Sequence, residues 1–383
     1  MGYDDKTAAR SPLDAGADVV DGEVLVLVAD IERLVRCESP SADLAAVARS
    51  AAVVAELGAE RLGAKAETIE LDGRTHVRWR FGERPRVLLL GHHDTVWPLR
   101  SLETHPFAVR NGVLTGPGCY DMKAGVAMIF HALAALDDLD GVTVLITGDE
   151  ELGSPSSRAL IEDEARGCAA ALVLEASGPG GALKTARKGV SRYDVQIRGR
   201  AAHAGLEPER GVNATIEAAH QVRAVAALAA GGTTVTPTRL ESGTTVNTVP
   251  AAAHFEVDVR VWDAAEQDRI DRAMRSLPPH LQGAEVTVAG GPNRPPLPHT
   301  ASKVLYERAC RLAEHLGLTP PGELAVGGAS DGNFTAGVGT PTLDGLGAVG
   351  GGAHADDEHV LVSELPGRTR LLTALISDLR AST

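Results

Sequence analysis

Five side chains that can bind a metal ion are spread over most of the chain, each in a short polar sequence. They are His92, Asp121, Glu151, Glu175 and His354. One histidine and one carboxylate per ion, with a further carboxylate shared between two ions, is a ligand set suited to a two-metal hydrolase. The types of these residues therefore predict a dinuclear site that hydrolyses an amide or a similar bond.

Most of these residues follow apolar runs that are typical of buried strands. The runs and the polar residues after them are 87–90 before His92 and Asp94, 142–147 before Glu150 and Glu151, and 169–174 before Glu175. In an open α/β sheet, the functional site forms at the carboxyl ends of the strands. We therefore expect three strands to bring these side chains to one edge of a sheet.

The spacing of these residues along the chain suggests a separate chemical role for each of them. Residues i and i+2 of an extended chain share a face, so His92 and Asp94 can act together. A zinc-bound histidine usually donates its second N–H to a carboxylate, which suits Asp94. Of the adjacent Glu150 and Glu151, one can bind metal while the other accepts a proton from water, whose pKa a bound zinc ion lowers towards about 7.

Each residue taken alone has a simpler interpretation. Asp121 could cap a helix that begins at Met122, and the other residues could serve only structure or lie on the surface. In those interpretations His92 is a polar turn residue, Glu150 and Glu151 lie in a solvated loop, Glu175 is structural, and His354 is a mobile surface side chain. Unrelated origins for all five are much less plausible than one site.

Helical and extended patterns alternate in the first half of the chain and predict an α/β fold with a mostly parallel central sheet flanked by helices. The predicted helices there are 22–35, 42–57, 122–136 and 156–165, and the predicted strands are 65–71, 75–81, 86–90, 142–147 and 169–174.

A second unit is predicted inside the first. Its order is strand 191–197, helix 211–228, strands 233–241 and 254–261, helix 264–277 and strand 285–289. This β-α-β-β-α-β order is the ferredoxin-like arrangement. The helices 301–316, 331–336 and 364–380 then complete the first unit. We expect a catalytic domain formed by 1–187 and 293–383, with an inserted α+β domain at 188–292.

Composition and charge bear on the partners of the protein, the state of its cysteines and its location. A net charge of −14 disfavours nucleic acid as a partner, because phosphate requires clustered Lys and Arg. The four cysteines show no Cys-x-x-Cys pairing, which favours reduced thiols. Residues 1–21 show no secretory signal, and no apolar run approaches the roughly 20 residues of a membrane span. A cytoplasmic location is the resulting expectation.

Three segments together resemble the dizinc metallopeptidases that include glutamate carboxypeptidase, acetylornithine deacetylase and succinyl-diaminopimelate desuccinylase. The segments are 91–96 (Gly-His-His-Asp-Thr-Val), 116–125 (Gly-Pro-Gly-Cys-Tyr-Asp-Met-Lys-Ala-Gly) and 148–154 (Gly-Asp-Glu-Glu-Leu-Gly-Ser). The resemblance extends from about Val24 to the C-terminus. Residues 199–214 are most similar to the glutamate carboxypeptidase branch.

The resemblance implies a role for each residue. Asp121 would bridge two zinc ions, with a cis peptide bond after it, and Co²⁺ or Mn²⁺ could substitute. His92 and Glu175 would complete one metal site, and Glu151 and His354 the other. Glu150 would be the general base that activates a water between the ions, and Asp94 would orient the site.

Three further residues are implied by the resemblance. His203 would stabilise the oxyanion, often across the boundary of a homodimer formed by the inserted dimerisation or lid domain. Asn247 would contact the substrate, and Arg294 would bind a substrate carboxylate. Guanidinium pairs well with carboxylate, and an exopeptidase must recognise a free C-terminus. The simpler interpretations are a turn histidine for His203 and a surface side chain for Arg294.

The resulting hypothesis is a zinc-dependent carboxypeptidase that releases a C-terminal amino acid, with glutamate favoured, from a peptide, a folate-like compound or an N-acyl conjugate. The alternative is a deacylase of N-acyl amino acids of the acetylornithine or succinyl-diaminopimelate type. A non-catalytic zinc or peptide-binding module is disfavoured because Glu150 accompanies all five ligands. A phosphate-binding protein is disfavoured because no Gly-x-x-x-x-Gly-Lys-Ser/Thr loop is present.

Overall fold

The computed structural model describes residues 22–381, so the predicted absence of a signal in residues 1–21 lies outside the described part. The first half contains, in chain order, α1 Gly22–Arg36, α2 Leu44–Leu62, β1 Glu67–Leu71, β2 Arg74–Arg80, β3 Val87–His92, β4 Ala108–Arg110, β5 Val113–Thr115, α3 Ala124–Ala134, β6 Val142–Thr147, α4 Arg158–Ala165, β7 Ala170–Val173 and β8 Leu183–Arg187. The second half contains β9 Gly189–Arg198, α5 Ala214–Ala226, β10 Thr234–Ser242, β11 Ala252–Val261, α6 Ala264–Arg275, β12 Glu285–Arg294, α7 His299–His315, β13 Glu323–Val326, α8 Gly332–Gly337, β14 Thr342–Leu343, β15 Gly350–Gly351, β16 His359–Leu361 and α9 Leu365–Ala381.

A six-stranded sheet forms the centre of the larger unit, in the order β1-β2-β6-β3-β7-β14. The strands β6, β3, β7 and β14 run parallel to one another. The antiparallel hairpin of β1 and β2 joins one side of the sheet, where β2 pairs antiparallel with β6. All residues of β3 and β6 are buried, which explains why these runs are apolar at almost every position. The predicted α/β fold with a mostly parallel sheet is confirmed.

Helices cover both faces of this sheet because successive side chains of a strand point to opposite sides. Val87 and Leu89 belong to the core on the side of α1, α2, α3 and α9. Leu88 and Leu90 belong to the core on the side of α4 and α8, where Phe334 is fully buried. Both layers leave the carboxyl ends of the strands free of helix.

The second sheet is antiparallel throughout, in the order β10-β11-β9-β12, and α5 and α6 pack on one of its faces. This is the predicted ferredoxin-like arrangement. Asp263 caps α6 by accepting the N–H of Glu266 at 2.8 Å, but the Glu266 carboxylate bonds Arg269 and Thr233 instead of completing a capping box. The strands of the insert extend from Gly189 to Arg294, and its proposed limits remain 188 and 292.

Some element ends differ from the prediction for local reasons. The helix expected from residue 42 begins at Leu44, because the Asp43 side chain accepts the N–H of Ala46 at 2.9 Å. The helix expected from Met122 begins at Ala124, because Asp121 and Met122 have non-helical backbone angles and are joined by a cis peptide bond.

The strand β8 was not predicted. Its sequence, Leu-Lys-Thr-Ala-Arg, has two cations and no apolar run. It forms because it pairs in parallel with β13, which lies about 140 residues later in the chain. A small sheet of β15, β16, β5 and β4 closes the structure near residue 354. Within residues 22–381, no helix is both long and apolar enough to cross a membrane.

Candidate metal centre

The three predicted strand ends lie side by side. The strand β3 pairs in parallel with β6 on one side and β7 on the other, so their carboxyl ends meet at one edge. His92 ends β3, Glu150 and Glu151 follow β6, and Glu175 follows β7. The topology thus brings four of the chemically important side chains to one place, as the sequence predicts.

Two loops complete the set. Asp121 lies in the irregular turn before α3, and His354 lies in the loop between β15 and β16. The backbone of His354 has φ = 62°, a left-handed conformation that few non-glycine residues adopt and that is enriched at functional sites. These loops bring Asp121 and His354 to the edge where the strands end.

Asp121 lies between two histidines. Its Oδ1 is 3.3 Å from His92 Nε2, and its Oδ2 is 3.4 Å from His354 Nε2. Each histidine also faces a glutamate: His92 Nε2 is 3.5 Å from Glu175 Oε1, and His354 Nε2 is 3.1 Å from Glu151 Oε1. The five residues therefore form two groups, each with one histidine and one glutamate, that share a single carboxylate.

The polar atoms at this centre fit a pair of metal ions. His92 Nε2 and Asp121 Oδ1 are buried and have no hydrogen-bond partner, a costly state that a bound cation would relieve. Imidazole nitrogen and carboxylate oxygen are ligands that Zn²⁺ and related divalent ions accept. Two overlapping clusters, His92–Asp121–Glu151 and His92–Glu150–Glu175, have ligand atoms within 4.8 Å of one another.

The surrounding carboxylates raise the pKa of both histidines. The carboxylates of Asp121 and then Glu151 raise the pKa of His354 to about 10. Burial opposes the charging of His92, but the carboxylates of Asp121, Asp94 and Glu175 around it outweigh burial and raise its pKa well above the usual value. Metal ions must displace these protons, so binding should release protons and strengthen as pH rises.

Asp94 is fully buried. Its carboxylate accepts the backbone N–H of Glu150 at 3.2 Å, the N–H of Glu151 at 3.3 Å and the hydroxyl of Ser41 at 2.7 Å. His92 Nδ1 lies 2.9 Å from the Asp94 carbonyl and 3.5 Å from its carboxylate. Donation from Nδ1 to Asp94 leaves the Nε2 lone pair directed at Asp121. The side chain of the neighbouring His93 bonds the Thr75 carbonyl instead, at 3.0 Å.

Glu150 and Arg294 lie together at the wall of a cleft of about 310 Å³ that also contains Asp121, Glu151, Glu175 and His354. Arg294 Nη2 is 2.9 Å from Glu150 Oε1 and 2.9 Å from Asp331 Oδ1. Burial raises the pKa of the Glu150 carboxyl well above its usual value. Arg294 is therefore buried and ion-paired, and the alternative of a surface arginine is excluded.

His203 and Asn247 are not among the residues that line this cleft. They neighbour each other on the insert, where the Ala204 N–H donates to the Asn247 carbonyl at 3.0 Å and His203 forms a β-bridge with Thr248. His203 Nδ1 accepts the N–H of Gly205 at 3.1 Å. Both side chains are exposed on the insert.

Glu358 was missed by the sequence analysis. It is buried, and its carboxylate accepts the backbone N–H groups of Gly118, Tyr120 and Asp121 at 2.8–3.0 Å and the indole N–H of Trp97 at 2.6 Å. These bonds hold the turn that carries Asp121. Nothing in the sequence separates Glu358 from the exposed Asp356 and Asp357 beside it, because no periodic pattern surrounds it.

The cleft also contains cations that the sequence analysis did not identify, namely Lys184, Arg187, Arg192 and Arg260. Two of them belong to the unpredicted strand β8, and two belong to strands of the insert. The convergence of these basic residues on one acidic centre becomes visible only when the partner of each strand is known.

The chain was compared with known proteins. Residues 88–378 match the model of peptidase family M20/M25/M40. The chain is 34% identical over 310 residues to carboxypeptidase G2 of Pseudomonas sp. (strain RS-16), covering 77% of this chain and 74% of that protein. It is 28% identical over 310 residues to succinyl-diaminopimelate desuccinylase of Wolinella succinogenes, covering 76% and 84%. The fold is similar to that of an M20 family metallo-carboxypeptidase of Sulfolobus solfataricus, with a TM-score of 0.72, 17% identity, and coverage of 93% and 99%.

Proposed function

The chain belongs to peptidase family M20/M25/M40 and is a metal-dependent hydrolase of amide bonds, and from this premise we propose that it is a dizinc carboxypeptidase. Its proposed substrates are short peptides, folate-like compounds or N-acyl conjugates that end in a free amino acid, with glutamate the favoured product. The observation that carries the proposal is the Asp121 carboxylate, whose two oxygens each face a different histidine beside a different glutamate.

The ligand groups follow from that arrangement. His92 and Glu175 would hold one ion, Glu151 and His354 the other, and Asp121 both. We propose Zn²⁺, with Co²⁺ or Mn²⁺ as substitutes, because the set combines imidazole with carboxylate. Two divalent ions, when bound, would polarise the scissile carbonyl and lower the pKa of a water towards about 7.

Glu150 would act as the proton carrier of the reaction. It lines the cleft with four of the five proposed ligands and is not a ligand in this assignment. Its carboxylate would take a proton from the attacking water and later give that proton to the leaving amine. Asp94 supports this role because it binds the N–H groups of Glu150 and Glu151 and so holds both side chains at the same edge.

His203 and Asn247 are exposed on the insert and are not among the residues that line the cleft, and we propose a homodimer in which each chain completes the site of the other. Apolar side chains surround them on the surface: Leu206 exposes 76% of its area and Val246 is fully exposed. Exposed apolar residues of this kind are typical of protein contacts. Within the dimer, His203 of the partner would stabilise the oxyanion and Asn247 would contact the substrate. Arg294 remains a proposed substrate contact at the cleft wall.

A substrate panel tests the proposal. Zinc-loaded protein is assayed with N-acyl-glutamates, other N-acyl amino acids, N-acetylornithine and N-succinyl-diaminopimelate. We expect the highest kcat/KM for an acyl-glutamate. A preference for acetylornithine or the succinyl compound would instead establish the deacylase alternative, which the 28% identical desuccinylase supports. If the protein held less than one zinc per chain and hydrolysed nothing after zinc or cobalt was added, the hypothesis of a non-catalytic zinc or peptide-binding module would be favoured instead.

A further inference from the structure

Arg368 is a buried cation in the first turn of α9, with 8% of its surface exposed. Among residues 22–381, no carboxylate lies within ion-pair distance of its guanidinium. Burial lowers the pKa of this group to about 10. A buried charge without a counter-charge is costly, so the hydrogen bonds that Arg368 makes must account for its place in the fold.

The guanidinium of Arg368 donates to three backbone carbonyls, all of them of buried glycines. Its Nε donates to the Gly347 oxygen at 3.1 Å, its Nη1 to the Gly181 oxygen at 3.0 Å and its Nη2 to the Gly345 oxygen at 2.5 Å. Because the guanidinium is a rigid planar fork, it fixes the three acceptors relative to one another. Arg368 thus joins the segments 178–181 and 345–347 to the start of α9.

Neither segment can satisfy its own buried carbonyls with a side chain. Residues 345–352 are five glycines and three apolar residues, and residues 178–181 are three glycines and a proline. Buried carbonyls need hydrogen-bond partners, and glycine leaves the backbone free to adopt many conformations. A donor from elsewhere in the fold is therefore required to fix the path of these two segments.

The segment that Arg368 bonds lies directly beside Glu175. The Gly347 N–H donates to the Glu175 carbonyl at 2.9 Å, and the Ser177 N–H donates to the Ala348 carbonyl at 3.0 Å. A Cβ on Gly347 would lie 2.3 Å from the carbonyl oxygen of the residue before Glu175, so the two chains approach closely. The two polar groups of Gly347 thus connect the Arg368 guanidinium to the backbone of Glu175.

We propose that Arg368 is a positioning residue of the metal centre, which holds the backbone at Glu175 so that the Glu175 carboxylate faces His92. The inference rests on the proposed assignment of these two residues to one ion. The other proposed ion is held by Glu151 and His354, which are fixed in other ways. Glu151 follows β6, and the strand β15, which precedes His354, is paired with β16. Loss of Arg368 should therefore weaken one ion more than the other.

Zinc titration with a competing chelator tests this difference. Arg368→Met should bind one zinc ion with the affinity of the unmodified protein and the other about tenfold to a hundredfold more weakly, as is typical when a group that orients a ligand is lost. Arg368→Lys keeps the charge but lacks the fork that fits three acceptors, so its affinity should lie between the two. Normal affinity at both sites, or an equal loss at both, overturns the proposal.

Hydrogen exchange on the metal-free protein measures the positioning itself. In Arg368→Met, peptides that cover 173–181 and 345–352 should exchange faster than in the unmodified protein, because the N–H groups of Gly347 and Ser177 lie on chains that are no longer fixed. Peptides of the insert should exchange at the same rate in both proteins. Unchanged protection at 173–181 overturns the proposal. If Arg368→Met does not fold, the same comparison with Arg368→Lys decides.

Matched controls come from the same helix. Arg370→Met removes an exposed arginine that donates to the Leu316 carbonyl at 3.4 Å. Leu379→Ala removes a buried apolar side chain about 16 Å further along α9 and lowers the stability of the fold. Both variants should bind two zinc ions normally. If Leu379→Ala weakened the same ion as Arg368→Met, a general loss of stability would explain the effect and the proposal would be wrong.

This inference and the proposed function can fail separately. If Arg368→Met changes zinc binding and exchange as expected while the unmodified protein hydrolyses no acyl-glutamate, the positioning role is supported and the carboxypeptidase function is overturned. If the unmodified protein hydrolyses acyl-glutamate and Arg368→Met binds both ions normally, the function is supported and the positioning role is overturned.

Discussion

At the scale of single residues, the centre depends on how a few carboxylates are held. Asp121 faces both histidines, Asp94 holds the chain at Glu150 and Glu151, and Glu358 holds the turn that carries Asp121. Each of these acids is held by hydrogen bonds or by ion pairs at fixed places. The functional groups are therefore fixed before a metal ion or a substrate binds, as efficient catalysis requires.

We predict that Glu150→Gln abolishes turnover and leaves metal content intact. The amide cannot accept and return a proton, but it has nearly the same shape as the carboxylate. The measurements are kcat at saturating zinc and zinc per chain by atomic absorption. A variant that kept a near-normal rate would show that another group is the base.

We predict that Glu358→Gln weakens metal binding by on the order of tenfold to a hundredfold, as is typical for groups that orient metal ligands. An amide has one acceptor oxygen, so it cannot bind all four N–H groups that the carboxylate accepts. Zinc titration with a competing chelator measures the change. Asp356→Asn, in the same loop but with an exposed side chain, is the control and should bind zinc normally.

At the scale of elements, close packing explains one of the glycines in the sequence signature. A Cβ on Gly125 of α3 would lie 2.1 Å from the carbonyl oxygen of Leu174, the residue before Glu175. Only glycine lets α3 approach the end of β7 this closely. The proposed ligands Asp121 and Glu175 lie on the two segments that meet at this contact.

We predict that Gly125→Ala lowers the free energy of unfolding by about 1–3 kcal/mol because the added methyl group forces the two segments apart. Zinc affinity should fall as well, because this contact sets the distance between Asp121 and Glu175. Denaturant unfolding and zinc titration measure the two effects. Gly327→Ala, where nothing lies within 4 Å of the added carbon, should change neither. Equal behaviour of the two variants would contradict the packing argument.

A buried acid joins three helices on the far side of the sheet. Asp30 of α1 lies 2.7 Å from Arg61 Nε of α2 and 2.6 Å from His131 Nε2 of α3. Burial opposes the charge, but the bonds from His131 and Arg61 lower the pKa of Asp30 below its usual 3.8. Its contribution to stability is therefore present above about pH 4 and is lost as pH falls through the lowered pKa.

We predict that Asp30→Asn destabilises the protein by about 2 kcal/mol at neutral pH, because the amide leaves the two basic partners without a counter-charge. The difference between the variant and the unmodified protein should shrink as pH falls below 4. Urea unfolding at several pH values measures it. A difference that stayed constant down to pH 2 would exclude the ion pair as its cause.

At the scale of the whole molecule, one chain provides the proposed ligands and the proposed base, while His203 and Asn247 are exposed on the insert and do not line the cleft. The cleft itself lies between the two units, since strands of the insert supply Arg192, Arg260 and Arg294. A complete site in the proposed scheme therefore requires both units of one chain and the insert of another.

We predict that Glu150→Gln and His203→Ala chains, each nearly inactive alone, regain activity when co-expressed. In a hybrid dimer, the site with an intact Glu150 receives an intact His203 from the partner. Random assembly makes half of the dimers hybrid with one working site each, so about a quarter of the normal activity should return. No recovery would mean that His203 acts within its own chain or not at all. Subunit mass in solution checks that dimers form.

The local sequence pattern predicts most helices and strands of this protein, because the spacing of apolar residues differs between the two kinds of element. The runs before His92, Glu150 and Glu175 predicted both the parallel sheet and the edge at which these residues meet. The β-α-β-β-α-β order likewise predicted the second sheet. The resemblance at 91–96, 116–125 and 148–154 predicted the family, which the comparisons show. A cytoplasmic location and the domain limits remain predictions.

Only the tertiary structure decided what depends on distant contacts. The strand β8 exists because of β13, Glu358 matters because a loop folds back onto residues 118–121, and Arg294 is engaged by Asp331. No local spacing encodes such pairs, since their partners lie between about 35 and 240 residues away along the chain.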